Sequence, residues 1–296
     1  MAMFQKADSG RKLTAAGGYT ISILRLLVFS NIFIVVCAAI MSVQTFLYFS
    51  LPLNFRLLAF IASGTLCSYS MHWALPSTHN VLSPREKWSY SRRNFLLLLF
   101  GAGFTLSVYF FLELKPFWSG LLPLVVLTFL YSSGKIPALP FRYFRKYFFG
   151  KTIYLAAMWT LVTVYLPLMV SGTTWELPHF LFICSRFFFL FAICILFDLR
   201  DREADSAGGI KSLITFLERP GIRKLYFFSL LVSFLSALGL YSSIPLIPLL
   251  ILLLPVLAAA FVYGCSVQTR SELWFYFFLD GLMMLSGLFI LVYSFF

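Results

Sequence analysis

The run Phe187-Phe188-Phe189-Leu190-Phe191-Ala192-Ile193-Cys194-Ile195-Leu196-Phe197 leads without a charged side chain into Asp198-Leu199-Arg200-Asp201-Arg202-Glu203-Ala204-Asp205. Its apolar part belongs to a stretch, about Pro178–Phe197, of the length a helix needs to cross the hydrocarbon core of a bilayer. The charged part marks where that helix leaves the membrane. Similar stretches fall at about Leu26–Phe49, Leu53–Leu75, Asn94–Leu112, Pro116–Ser133, Thr152–Ser171, Leu225–Tyr241, Ile244–Gly264 and Leu273–Phe296. Short connections between several of them predict antiparallel hairpins. Alternating polarity of the β-barrel kind is absent. The composition agrees: 60% of the 296 residues are hydrophobic and 11% charged, against about 45–50% and about 25% in ordinary globular chains. A soluble domain cannot hide that much apolar surface. The expected fold is an all-α membrane protein, a bundle of nine transmembrane helices around a central cavity. It forms one domain over residues 1–296, with a basic arm at residues 1–22.

The net charge of +12 reports orientation, because Lys and Arg are retained in cytoplasmic loops. The arm and the first helix start carry Lys6, Arg11, Lys12 and Arg25. The second–third loop carries Arg85, Lys87, Arg92 and Arg93, and the fourth–fifth Lys135, Arg142, Arg145, Lys146 and Lys151. The sixth–seventh carries Arg200, Arg202, Lys211, Arg219, Arg223 and Lys224, and the eighth–ninth Arg270. Together these are 20 of the 23 basic residues, all on one side of a nine-span topology. The N-terminus is therefore expected in the cytoplasm and the C-terminus outside, and the charge does not indicate a nucleic-acid partner. Compact loops favour a bacterial plasma membrane. The first twenty residues are polar and basic, with no cleavable signal. The five cysteines, Cys37, Cys67, Cys184, Cys194 and Cys265, show no pairing or metal spacing and read as small buried hydrophobes.

Three of the five aspartates sit in the stretch quoted first. At about 100° per residue, Asp198, Asp201 and Asp205 lie within an arc of roughly 60° on a helix. Three carboxylates on one stripe repel one another, and a hard divalent cation such as Mg²⁺ relieves that while leaving positions for phosphate. Arg200, Arg202 and Lys211 stand ready for phosphate oxygens. The competing reading is a solvated helix end with internal ion pairs. Two further charges lie inside spans. Arg186 points about 120° away from the aspartate stripe and either pairs with a neighbouring helix or snorkels. Asp280 lies near one end of the last span.

The stretch Asp198 to Leu213 resembles the second aspartate-rich motif of the UbiA superfamily of intramembrane prenyltransferases, D-x-x-D-x-x-x-D followed by Gly, a basic residue and Ser or Thr. Asp198, Asp201, Asp205, Gly209, Lys211 and Ser212 fill those positions. Nine helices, an N-in arrangement and a motif in the loop after the sixth helix are also similar. So are Tyr131 and Lys135 near the end of the fourth helix, the approach to Trp159, and Asp280-Gly281 in the last span. The resemblance implies transfer of a prenyl group from a polyprenyl diphosphate to a hydrophobic or aromatic acceptor, with Mg²⁺ as cofactor. It implies Asp198, Asp201 and Asp205 as metal-holding, catalytic residues and Lys135, Arg202 and Lys211 as diphosphate contacts. Aromatic rings would line the prenyl groove, although most of the 36 Phe and 15 Tyr suit lipid-facing packing.

The chain departs from the family at its first motif, N-D-x-x-D, expected around Leu66–Leu82. That stretch has no aspartate, and none occurs anywhere between Asp8 and Asp198. Glu86 is the one carboxylate of the loop, and His72 is a further candidate for phosphate or metal, set against a plain packing role. Two other readings follow: a non-catalytic isoprenoid-lipid-binding member of the same fold, and, more distantly, a small-solute transporter.

Overall fold

The computed structural model describes residues 22–76, 82–133, 150–207 and 213–296, and among them there are helices and no strands. In order they are α1 (Ser22–Phe29), α2 (Ile32–Tyr48), α3 (Phe55–Ala74), α4 (Pro84–Ser91), α5 (Arg93–Glu113) and α6 (Trp118–Ser133). Then come α7 (Lys151–Val170), α8 (Leu177–Ala207), α9 (Leu213–Phe216), α10 (Arg219–Leu238), α11 (Leu246–Gln268) and α12 (Trp274–Tyr293).

Each expected span contains a helix, but not each helix has the length and composition of a crossing. Six do: α5, α7, α8, α10, α11 and α12. A seventh results if α1 and α2, bent by 65° against each other, are one broken span. The bend falls at Asn31, whose φ of 67° is a left-handed value that Asn tolerates better than most residues. In α3, Arg56, Thr65, Ser68, Ser70 and His72 dilute the apolar character. The described part of α6, 16 residues, measures about 24 Å, against a hydrocarbon core of about 30 Å.

The central element is α8, which at 31 residues extends about 46 Å and so outlasts the bilayer. Leu190, Ala192, Ile193, Ile195 and Leu196 are at most 1% exposed, the all-round burial of a helix enclosed by others. The expected motif loop is therefore corrected: Asp198 to Asp205 continue the helix. In contrast, α5 turns a broad apolar face outward, with Leu98, Phe104 and Tyr109 exposed. It holds α3 at very short range through Gly103, where a Cβ would lie 2.7 Å from the backbone nitrogen of Cys67.

The backbone carbonyl left open by Pro167 finds a side-chain partner, as an apolar surrounding requires. Pro167 has no N–H for the Thr163 carbonyl; that carbonyl accepts instead from the Thr45 hydroxyl at 2.7 Å, and the preceding turn, Leu161–Tyr165, widens to a π-helix. The hydroxyls of Tyr48 and Tyr226 donate to the carbonyls of Pro248 (2.7 Å) and Ala259 (2.6 Å) on α11. Gly287 of α12 lies against α2, where a Cβ would stand 2.8 Å from Ile40 Cγ2. Of the cysteines, Cys37 and Cys194 are buried as expected, while Cys265 is exposed.

Candidate functional site

At its charged end α8 meets the start of α7 and the beginning of α12, which in turn meets the helix α4. Asp198 is only 5% exposed, so its carboxylate needs partners. It finds them in the first two residues of α7: the Thr152 hydroxyl donates to Oδ2, and Lys151 Nζ lies 3.5 Å from Oδ1. The amino end of a helix also favours a carboxylate through its unpaired N–H groups and dipole.

Two residues further, Arg200 turns back on Asp201 in a two-pronged contact, Nε to Oδ1 at 2.7 Å and Nη2 to Oδ2 at 3.0 Å. Nη2 also donates to the Tyr276 hydroxyl at 2.9 Å. The guanidinium carbon stands 4.6 Å and 4.8 Å from the ring centres of Phe275 and Tyr276, within range of a cation–π attraction. Glu272 Oε2 approaches Nη1 to 3.9 Å, too far for a hydrogen bond, and both atoms are buried without one. Burial pushes the Glu272 carboxyl above its ordinary value, against the opposing pull of Arg200 and Arg85. Arg270 completes the junction of α11 and α12 with α8, donating to the Arg200 carbonyl at 2.5 Å and pairing with Glu203 at 3.5 Å.

The α3 side is built differently. Here α4 starts with a capping box: Glu86 N donates to Ser83 Oγ at 3.2 Å and Ser83 N to Glu86 Oε2 at 2.7 Å, with Pro84 opening the first turn. That start directs Arg85 inward. Counted in the sequence as a loop charge, Arg85 is in fact 3% exposed. Its guanidinium carbon lies 3.9 Å from the Tyr276 ring centre and 4.1 Å from that of Trp73, and Nη2 donates to Asn31 Oδ1 at 2.9 Å. Asn31, the residue at the α1–α2 bend, donates in turn to Ser70 Oγ at 3.4 Å. Arg85 Nε is buried without a partner. Tyr276 thus has two guanidinium groups within 5 Å of its ring centre.

Among the expected site residues, Asp198 and Asp201 share one side of α8 but hold separate cations. Arg202 does not face them: its Nη2 donates to the Leu217 carbonyl at 3.0 Å, between α9 and α10. His72 sets its ring edge-on to Trp73 at 5.6 Å, and it is Trp73 that reaches Tyr276, at 5.9 Å. The side chains of Asp205 and Tyr131 lie outside the described residues, as do Lys135, Gly209, Lys211 and Ser212. Among the described residues, no three His, Cys, Asp or Glu side chains gather where one metal ion could touch them. The ion pairs fit the reading of a charged helix end, while the burial of Asp198 does not fit a solvated one. Arg186 pairs with Gln44 of α2 and stays buried, so it does not snorkel. Asp280 is buried as well. Lys151, Thr152, Glu272 and Tyr276 do not stand out in the sequence as site residues; the expected nine-span topology, which would put the starts of the fifth and ninth spans on the same side as the end of the sixth, is the signal that could have found them.

A model of the UbiA prenyltransferase family matches residues 90–288. No curated protein matches the chain. Among solved structures, a UbiA homolog from Archaeoglobus fulgidus bound to DMAPP and Mg²⁺ superposes with a TM-score of 0.56 at 14% identity. The match covers 90% of this chain and 99% of that one, and at this identity the likeness is one of fold.

Proposed function

From the premise that the chain belongs to the UbiA prenyltransferase family, we propose that it moves a prenyl group from a polyprenyl diphosphate to a hydrophobic or aromatic acceptor. In this reading the chain is a single domain of nine crossings around a central cavity. Its N-terminus and the Asp198 end of α8 face the cytoplasm, with the C-terminus outside; the membrane is a bacterial plasma membrane. The observation that carries the reading is the charged end of α8, where buried Asp198 is held by Lys151 and Thr152 and Asp201 by Arg200, whose guanidinium lies against the rings of Phe197, Phe275 and Tyr276. Such a site has charge for a diphosphate and an apolar wall for the prenyl chain.

Carboxylate oxygens one helical turn apart are donors that Mg²⁺ accepts, so Asp198 and Asp201, with Asp205, fit as its holders. When bound, the ion would neutralise charge on the departing diphosphate. Lys151 and Arg200, which hold the two described carboxylates, would then turn to phosphate oxygens, assisted by Lys135, Lys211 and, from the α3 side, His72. Arg202 joins them only by leaving the Leu217 carbonyl. The surrounding rings would keep water from an allylic cation.

The experiment is calorimetric binding of geranylgeranyl diphosphate to the purified protein in detergent, with and without Mg²⁺, repeated on Asp201→Asn. The proposal expects Mg²⁺-dependent binding that falls by about tenfold or more in the variant, the loss of one charged contact worth about 1.4 kcal/mol or more. Unchanged binding in Asp201→Asn sinks the metal assignment. A second reading is a non-catalytic isoprenoid-binding member of the family, favoured by the α3 side, where Trp73 and Arg85 stand instead of carboxylates. It predicts binding of the labelled diphosphate without release of pyrophosphate for any acceptor.

A further inference from the structure

Far from the charged end, a second buried cation lacks a counter-charge. Arg186 lies nine residues into α8, about 14 Å from its Leu177 end and about 18 Å from Asp198, and is 4% exposed. A guanidinium stays protonated at any pH a protein meets, and at membrane depth its charge is costly unless matched. Among the described residues, no carboxylate lies within 4 Å of it. Its one hydrogen-bond acceptor among them is Gln44 Oε1 of α2. The Gln44 amide nitrogen donates onward to Ser286 Oγ of α12 at 2.9 Å. Ser286, itself 3% exposed, accepts that bond, and its own hydroxyl proton has no acceptor among the described residues.

Both side chains line a small cavity between α8, α11 and α12. Its volume is about 10 Å³, close to the minimum for one water-sized occupant. The rest of the wall is Phe182, Ser185 and Phe189 of α8 with Leu252, Pro255 and Val256 of α11. This is a largely apolar, partly open cleft lined by a permanent cation, which also faces the Phe182 ring at 5.3 Å, and by a hydroxyl, and no acid is among its lining residues. A neutral water would leave the charge unmatched. An anion matches the charge and accepts from both donors.

We propose that the Arg186–Ser286 cavity binds one small inorganic anion of halide size, chloride under ordinary conditions. The anion neutralises Arg186 inside the membrane and ties α8 to α12 alongside the Gln44 bridge. The proposal is independent of prenyl transfer, since no residue of the Asp198 end takes part.

The test is thermal unfolding of the full chain in detergent at constant ionic strength, with sodium chloride, bromide, formate or gluconate as the varied salt. An ion that binds the folded form raises the midpoint along a saturating curve. Chloride and bromide are expected to do so, and gluconate, too large for the cavity, is not. Ser286→Ala should raise the half-saturating chloride concentration several-fold, and Arg186→Gln should abolish the dependence. Should Arg186→Gln fail to fold, Ser286→Ala decides alone, with anomalous diffraction from bromide beside Arg186 as the direct readout. Equal midpoints in chloride and gluconate for the unaltered chain overturn the proposal, as does an unchanged chloride curve in Ser286→Ala. Stabilisation by formate but not chloride also overturns it, and assigns the cavity to a carboxylate.

Discussion

The ends of α3 and α8 meet at Tyr276 and are made of opposite chemistry. On the α8 side each described carboxylate has its cation: Asp198 with Lys151, Asp201 with Arg200, Glu203 with Arg270. On the α3 side there is Trp73, and above it Arg85, which reaches no carboxylate within 4 Å among the described residues. The first arrangement is electrostatically complete; the second carries surplus positive charge held mainly by ring faces and one amide oxygen. Burial alone does not distinguish them, since Asp198 and Arg85 are 5% and 3% exposed. What differs is whether the buried charge is cancelled. An ion pair must be opened before it can serve a ligand, whereas an uncancelled guanidinium offers its charge as it stands.

The sharpest way to break this comparison is at Arg85. Arg85→Ala removes a desolvated cation–π contact of about 2 kcal/mol and opens a cavity between Trp73 and Tyr276. A loss of about 3 kcal/mol is expected, read as a lowered unfolding midpoint in detergent. Arg85→Met refills the volume without the charge, and apolar replacement of a buried charge is often neutral. Met should therefore recover at least half of the loss. If Met falls as far as Ala, the charge itself holds the α3 side together and the two sides are more alike than their partners suggest.

How much of this is legible in the sequence follows from the kind of signal each feature leaves. The helices are legible because an apolar run of membrane length can hardly be anything but a buried or spanning helix, and the stretch leading to Asp198 points to both the fold and the acidic face. The end of α8 is legible only in part: the aspartate stripe presupposes a helix, whereas the resemblance places the motif in a loop, and the chain continues as a helix through Ala207. Arg85 passes for a solvated loop cation because positive-inside counting is blind to burial. Its inward aim comes from the Ser83-Pro84-Arg85-Glu86 start of α4, a capping signal that composition and charge counting overlook. Tyr276 and Thr152 cannot be singled out, for Tyr and Thr are common near membrane ends and only the packing of α7 and α12 on α8 gives them their partners.

A smaller effect sharpens the α8 side. Thr152 donates to a buried carboxylate, and hydrogen bonds to charged groups are worth about 1.5–3 kcal/mol. Thr152→Val keeps the shape and should cost about 2 kcal/mol, while Thr152→Ser should stay near the unaltered chain. In Asp198→Asn the charge is gone and the same Val change should cost about half as much. Equal costs in both backgrounds would mean that Thr152 packs rather than pairs, and that Lys151 alone balances Asp198.

The smallest effect lies between the two sides, at Glu272, which neither Arg200 nor Arg85 fully compensates. Burial raises its folded value, so the folded chain holds the Glu272 proton more tightly than the unfolded chain, where the value is near 4.3. Stability from this group is therefore present at low pH. It is lost as pH rises from the unfolded value through the raised folded one. Above that window, Glu272 is a charged carboxylate with a buried, unbonded oxygen. Glu272→Gln removes the titration, so its unfolding midpoint relative to the unaltered chain should rise across that window and level off above it. Parallel midpoints at every pH would show that Arg200 and Arg85 already cancel the carboxylate. The surplus charge on the α3 side would then be spent on Glu272, and the contrast between the two helix ends would narrow to the rings around Arg85.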